Sequence, residues 1–407
     1  MKQVFLFLAI LFLVGFLYAD DHIAASLSQA DIQTAVDAAD AGDTVQLPSG
    51  TNNDFTGTVT ISKAITVYGA GETTTVLKRA SDPGDHASFF HVDPLESADQ
   101  TITFHDFGLY GYGHTDDETI DEGIWLDYSG ETDYEIRIYN CQFREFGYAG
   151  IRTLGYWYGC IYDCDFIDND VTGYGYGVAV GGLTAPGDGG DNSWTRGHTL
   201  GSEFFIFVED CYGENNRHFT TNSYGGRVVT RYNTITTDYV NARAIDAAHG
   251  YNFSTGERAG LCYEIYENEI TGTGSASAGI GLNGGNGVIW ENSAINAINL
   301  TYLHITVTLD DPPDAYPSQD QATDLYLWNN HTDYSETDWE DIDGSYGLLN
   351  SEPTYLVEGR DFYRYQKPGY SPYTYPHPLQ GEAGTHKLIL GSGTIFIIGP
   401  GVKVVIK

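Results

Sequence analysis

The period of the apolar positions changes along the chain, and each change marks a boundary. Val4 to Leu17 is an unbroken apolar run behind Met1 and Lys2, and Tyr18 and Ala19 close it before Asp20 and Asp21. The run is shorter than the roughly twenty residues of a bilayer span. With its basic start and small terminal residue it predicts a secretory signal peptide over residues 1–19. Next, Ile32, Ala35, Val36 and Ala39 recur at helical spacing, with Ser28 as N-cap, Asp31 in the first turn and Gly42 as the stop. From Thr44 to about residue 350 the helical period is gone. Short alternating runs separated by Gly, Asn and Asp predict strands.

Aligning those runs gives a repeated phrase. It reads Ile136-Arg137-Ile138-Tyr139-Asn140-Cys141, then Cys160-Ile161-Tyr162-Asp163-Cys164, and it recurs up to Leu325-Tyr326-Leu327-Trp328-Asn329-Asn330. The final column is Cys141, Cys164, Cys211, Asn233, Asn268, Asn292 and Asn330, at spacings of 23, 47, 22, 35, 24 and 38 residues. A bare coil of about 23 residues fits, with 47 as two coils and 35 and 38 as one coil plus an insertion. Such a period predicts a β-solenoid, in which each coil pairs its strand edges with the next and a turn Asn bonds its neighbours along the axis. Cys is small enough to fill the same slot. Three of the five cysteines thus read as ladder members, with Cys141 and Cys164 on adjacent coils within disulfide reach. The spacing of Cys160 and Cys164 does not match a zinc site.

The opening Asp31 to Ala39, the following Gly42-Asp43-Thr44-Val45-Gln46-Leu47-Pro48, the strand Ile65 to Gly71 and the Asn-type ladder resemble the right-handed parallel β-helix proteins of the pectate-lyase-like superfamily. The resemblance covers roughly residues 28–350. It implies an all-β right-handed parallel β-helix with an N-terminal capping helix, spanning residues 20–350 after the signal peptide. That superfamily includes lyases, hydrolases, epimerases, esterases and non-catalytic proteins, so it does not set the activity. The sequence lacks the Arg-x-Pro-x-x-Arg pattern of the best-known pectate lyases and the full acidic and His set of polygalacturonases, so no catalytic residue carries over by motif. Residues 351–407 differ in composition. The Tyr/Pro stretch from Tyr363 to Pro378 excludes a central strand and predicts an extended wrap along the solenoid. Three apolar runs then follow, Lys387 to Leu390, Thr394 to Ile398 and Val402 to Ile406. They predict a cap or an edge for self-association.

Charge narrows the function. With 56 Asp and Glu against 19 Lys and Arg, the formal charge is −37. Such a polyanion does not suit nucleic acid, and no segment after the first reaches membrane-spanning length. No lysine lies between Lys78 and Lys367, and Arg217, Arg227, Arg231, Arg243 and Arg258 fall together with His218 and His249. Lyases of this fold abstract the proton α to a sugar carboxylate while Arg or calcium neutralises that carboxylate. The candidate catalytic residues are Arg217, His218, Arg227, Arg231, Asp246, His249 and Arg258, with Asp246 placed to orient His249. Tyr156, Trp157, Tyr174 and Tyr176 are candidate sugar-stacking residues. Acidic groups at Asp116-Asp117-Glu118 with Asp121-Glu122, at Asp163, Asp165, Asp168 and Asp170, and at Asp310-Asp311 with Asp314 nominate Ca²⁺ as a cofactor. The leading expectation is a secreted polysaccharide lyase acting on an acidic glycan by β-elimination. A non-catalytic structural or adhesive solenoid is the alternative, and a glycoside hydrolase, needing two carboxylates about 5–10 Å apart, is third.

Overall fold

The computed structural model describes residues 19–84, 87–93, 95, 101–113, 121–127, 132–170, 173–182, 194, 197–238, 243–249, 258–272, 278–295, 301–303, 322–332, 357–381, 386–390 and 394–398. Most of the expected signal peptide, the acidic groups at Asp116-Asp117-Glu118 and at Asp310, Asp311 and Asp314, and the boundary near residue 350 lie outside these residues. Asp121 and Glu122 lie within them and both are buried, Asp121 accepting from Gly147 N at 2.7 Å and Glu122 from Arg152 at 2.8 Å.

Consecutive strands visit three sheets in turn. Tyr134–Tyr139 lies in the first sheet, Gln142–Arg144 in the second and Ala149–Thr153 in the third, and Trp157–Tyr162 returns to the first one rung on. Repetition of this circuit builds parallel sheets of twelve, ten and nine strands, which makes the chain a parallel β-helix. Most strands have only three to six residues; they persist because both edges are covered by neighbouring rungs. Ile138, Ile161, Val208, Thr230, Ile265, Ile289 and Leu327 stand in one register column of the first sheet. Their spacing reproduces that of the repeat read from the sequence.

One expectation is corrected by that register. Ile161 pairs directly with Val208, so the spacing of 47 is one coil with a long insertion and not two coils. The additional residues leave the third sheet after Tyr176–Gly181 and rejoin the first at Ile206–Glu209. An insertion about as long as a coil has the same arithmetic as a second coil, and only strand pairing separates them.

The ladder is formed as the repeat predicts. Asn233 Nδ2 donates to Asn268 Oδ1, Asn268 to Asn292 and Asn292 to Asn330, each at 2.9 Å. Each of these amide groups also donates to a backbone carbonyl, as in Asn268 Nδ2 to Thr230 O at 2.8 Å. Buried amides in such a stack satisfy one another, and removing one leaves its neighbour unpaired. The residue before each rung of this column turns the chain with a left-handed φ, among them Asn140, Asp163, Asp210 and Glu267 at 50°, 50°, 55° and 56°. All five cysteines are buried and unbridged, and burial pushes the Cys164 and Cys211 thiols well above their ordinary range.

At the N-terminal end the helix Gln29–Ala38 buries Ile32, Ala35 and Val36, and Ser28 Oγ accepts from Asp31 N at 3.2 Å. At the other end of the sequence the Tyr/Pro segment lies over the outer face of the first sheet: Arg231 donates to the carbonyls of Tyr373 and Thr374 at 2.8 and 2.9 Å. Residues His386–Leu390 and Thr394–Ile398 pair as an antiparallel hairpin, while the third apolar run lies outside the described residues. No helix among the described residues is long and apolar enough to cross a membrane.

Candidate active site

The strands Tyr176–Gly181, His218–Ser223 and Arg243–Ala248 are successive rungs of the third sheet. Tyr176 pairs with His218, Ala179 with Thr221, Thr221 with Asp246, and Asp246 with Gly281. Val178, Phe219 and Ile245 belong to the interior core. Tyr176 and Ala179 pack in a separate small cluster with Ala149, so these columns present Tyr176, His218 and Asp246 on the outer face.

Asp246 is the hub, with its side chain fully buried. Its Oδ1 accepts from Arg243 Nη1 at 2.7 Å, its Oδ2 is in short contact with His249 Nδ1, and the same oxygen lies 3.6 Å from His218 Nε2. Arg243 also donates to Asn283 Oδ1 at 2.9 Å. The arginine reaches this position because Gly281 lies beneath it: a Cβ there would come within 2.1 Å of Arg243 Cδ. Pairing with the next rung shifts register between Asp246 and Ala248. Such an irregularity re-aims side chains, and here Arg243 and His249, each three residues from Asp246, meet on one carboxylate.

His218 has its orientation fixed. Its Nδ1 is 2.6 Å from the Arg243 carbonyl, and a carbonyl only accepts, so Nδ1 carries the hydrogen. Its ring stacks on Tyr176 with centroids 5.5 Å apart and planes 6° apart, and the His249 ring centroid is 5.8 Å away. Arg217 Nη1 donates to the Tyr176 hydroxyl at 3.0 Å and contacts the Gly173 carbonyl.

Burial and charge set the protonation states. Burial pushes the His218 pKa down to about 3, against the pull of Asp246, so this imidazole is neutral. Burial alone would raise the Asp246 carboxyl, but the charge of Arg243 and the contact with His249 outweigh it and hold it well below the usual carboxylate range. Burial raises the Tyr176 phenol despite Arg217. His249 is the member open to solvent, its side chain 34% exposed. The arrangement is an ionised buried carboxylate orienting one accessible imidazole, with two guanidinium groups alongside.

Arg217, His218, Asp246 and His249 are thus brought together, with Tyr176 beside them. Apart from Tyr174, the other nominated residues sit elsewhere. Arg227 and Arg231 do share a face, as period two requires, but on the first sheet, where Arg231 is buried against Glu209. The Arg258 guanidinium lies 4.3 Å from the Trp194 ring centroid. Trp157 is buried in the first sheet, packs on Tyr134 at 5.4 Å and donates from Nε1 to Leu154 O at 3.0 Å. Tyr156 is half-buried on the approach to that strand. Tyr174 is half-buried near Tyr176 and packs on Tyr148 at 5.6 Å.

Two further positions matter that sequence spacing did not nominate. Arg243 belongs to the basic concentration, yet its distance of three residues from Asp246 on a strand argues for opposite faces. Gly281 carried no signal beyond being a glycine in a strand.

Among the described residues, the group of ligating side chains close enough to share an ion is His218, Asp246 and His249. Two nitrogen donors do not suit calcium, which takes oxygen. Asp163, Asp165 and Asp210, with Glu72 and Asp106, line a groove of about 780 Å³ at the turn between the first and second sheets. Among the described residues, its lining carries five carboxylates and no cation.

No protein-family model matches the chain, and no curated protein sequence does. Solved structures with a similar course include a protein of Geobacillus virus E2, at 13% identity and TM-score 0.43 over 75% of this chain and 54% of that one. The chain therefore spans about half the length of that viral protein. An alginate lyase from Paenibacillus sp. is similar at 18% identity and TM-score 0.41, over 69% of this chain and 97% of that one. A polysaccharide lyase of the PL6 family from Pseudopedobacter saltans is similar at 13% identity and TM-score 0.37, over 77% and 76%.

Proposed function

We propose that the chain is an exported polysaccharide lyase that cleaves a uronic-acid glycan by β-elimination on the outer face of the third sheet. The observation that carries this reading is the open imidazole of His249 held by buried Asp246 beside Arg217 and Arg243, in a protein otherwise dominated by acids.

Arg217, positioned through the Tyr176 hydroxyl, meets the substrate carboxylate and draws off charge as the adjacent C–H is broken. His249 accepts that proton on Nε2, because Nδ1 is engaged by Asp246, and the carboxylate stabilises the imidazolium that forms. The electron pair becomes the new C=C bond while the glycosidic C–O bond breaks, and the leaving oxygen takes a proton from solvent. Arg243 keeps Asp246 ionised. Tyr148 and Tyr174, half-buried on the flanking rungs, offer ring faces to neighbouring sugars. Calcium enters as a counterion between two polyanions rather than as a ligand of this cluster. A hydrolase reading is weaker here, because the cluster's one buried carboxylate is already engaged by Arg243 and His249.

The test is a panel of pectate, alginate and glycosaminoglycan polymers, with and without chelator, followed by ultraviolet absorbance of unsaturated products. At least one polymer is expected to give absorbance. If none yields absorbance or new reducing ends, the solenoid is a binding or structural protein and the lyase reading is wrong.

A further inference from the structure

We infer that His218 Nε2, Asp246 Oδ2 and His249 Nδ1 form a binding site for one divalent transition-metal ion, and that its occupancy switches off the proton acceptor of the same site. The second half rests on the lyase reading; the first half does not.

The argument begins with lone pairs. Because the Arg243 carbonyl takes the hydrogen on His218 Nδ1, Nε2 of the neutral ring has a bare lone pair. That nitrogen is buried and has no hydrogen-bond partner. It faces Asp246 Oδ2, another acceptor, at 3.6 Å. Two buried acceptors facing each other repel unless something positive lies between them. The third ligand atom, His249 Nδ1, lies with these two inside a common span of 4.8 Å. A tetrahedral ion with bonds of about 2.0–2.1 Å places its ligand atoms roughly 3.4 Å apart, close to the separation seen for His218 and Asp246. His249 Nδ1, now in short contact with the same Asp246 oxygen, must swing outward to share the ion, which its partly exposed side chain allows.

The donor set selects the ion. Two imidazole nitrogens and one carboxylate oxygen favour zinc, cobalt, nickel or copper over calcium and magnesium. The surrounding contacts are those that orient metal ligands: a backbone carbonyl fixes the His218 tautomer, and Arg243 holds the far oxygen of Asp246. The positive charge of Arg243 opposes the ion, so binding is weaker than at an all-neutral shell of the same geometry.

Occupancy has a direct chemical consequence. When the metal takes the Nδ1 lone pair, the single hydrogen of neutral His249 must reside on Nε2. No net proton is released; the hydrogen moves from one ring nitrogen to the other. Nε2, the atom that accepts the substrate proton, then has no lone pair to offer.

The test uses the full chain, stripped with chelator and dialysed, titrated calorimetrically with Zn²⁺ and separately with Ca²⁺, with Co²⁺ absorption as a second readout. One equivalent of Zn²⁺ is expected to bind, Ca²⁺ is not, and Co²⁺ is expected to develop visible bands. His218→Ala and His249→Ala are each expected to weaken Zn²⁺ binding about tenfold or more. His249 is partly exposed, so its variant keeps the fold, which circular dichroism checks. Absence of Zn²⁺ heat and Co²⁺ bands in the wild type overturns the site, as does equal binding in both variants. If a polymer is cleaved, Zn²⁺ suppresses the rate and chelator restores it; binding without suppression overturns the switch. If no polymer is cleaved, the calorimetry still decides the site.

Discussion

Of the buried carboxylate–arginine pairs in this solenoid, one on the outer face of the first sheet and one on that of the third differ in what is left over. Glu209 and Arg231, on the first sheet, are completely engaged. Glu209 Oε2 contacts Arg231 Nε, while Oε1 accepts from His377 N at 2.8 Å and Gln380 Nε2 at 2.7 Å. Arg231 uses its other nitrogens on the Tyr266 hydroxyl at 2.8 Å and on the carbonyls of Tyr373 and Thr374. Burial would lower the arginine's pKa, but Glu209 and Tyr266 outweigh it and raise it. Asp246 and Arg243, on the third sheet, look similar on a contact map. There, however, a solvent-accessible imidazole remains on the carboxylate. A saturated pair fastens the C-terminal strap, and an unsaturated one is equipped for chemistry.

The largest effect that separates the two is expected at the strap. Glu209→Ala leaves Arg231 buried without its carboxylate, and breaking such a pair costs about 3–5 kcal/mol. Denaturant unfolding should show that loss, with lyase rate per folded molecule unchanged. At the other pair, Gly281→Ala forces Arg243 aside. A misplacement of about 1 Å in a catalytic constellation costs up to about a hundredfold in rate, with a much smaller change in unfolding free energy. Steady-state kinetics beside a melt would show whether the two readouts part in this way.

A smaller effect is expected from pH. Burial, reinforced by Arg231, pushes the His377 pKa down to about 4, so in the folded strap it stays neutral where the unfolded chain's histidine takes a proton. The contribution is fully present above the ordinary value of about 6.5 and is lost as pH falls toward 4, because the unfolded state binds more protons across that window. His377→Gln should flatten this part of a stability–pH curve; an unchanged slope would show that the strap does not carry it. The smallest effect belongs to sugar contact. Tyr174→Ala should raise KM severalfold with kcat nearly constant, about 1 kcal/mol for one lost ring face.

The sequence carried the solenoid more fully than it carried the site. The period, the turn ladder, the capping helix and the burial of the cysteines all follow from the type and order of residues, because each rung repeats the same local problem. The 47-residue spacing misled because length alone cannot tell an insertion from a coil. At the site, Asp246 and His249 were legible as a short polar cluster, and His218 as a histidine in the one basic stretch. Arg243 was not, since a strand places residues three apart on opposite faces unless pairing is irregular. Arg231 looked as suitable as Arg217 in sequence. Its partners Tyr373 and Thr374 lie 142 and 143 residues away, and no local pattern announces them.

The net charge of −37 takes its meaning from the same comparison. Arg231 is consumed inside a structural lock, and on the outer face of the third sheet Arg152 is paired with Glu122, so Arg217 and Arg243 are the cations beside the acid–base pair. The most direct measurement is the β-elimination rate of His249→Ala against wild type on whichever uronate polymer gives unsaturated product, taken with the unfolding free energy of both. A rate loss of about a hundredfold or more, with stability within about 1 kcal/mol, is the predicted result. A variant that cleaves as fast as wild type would contradict the assignment of this site.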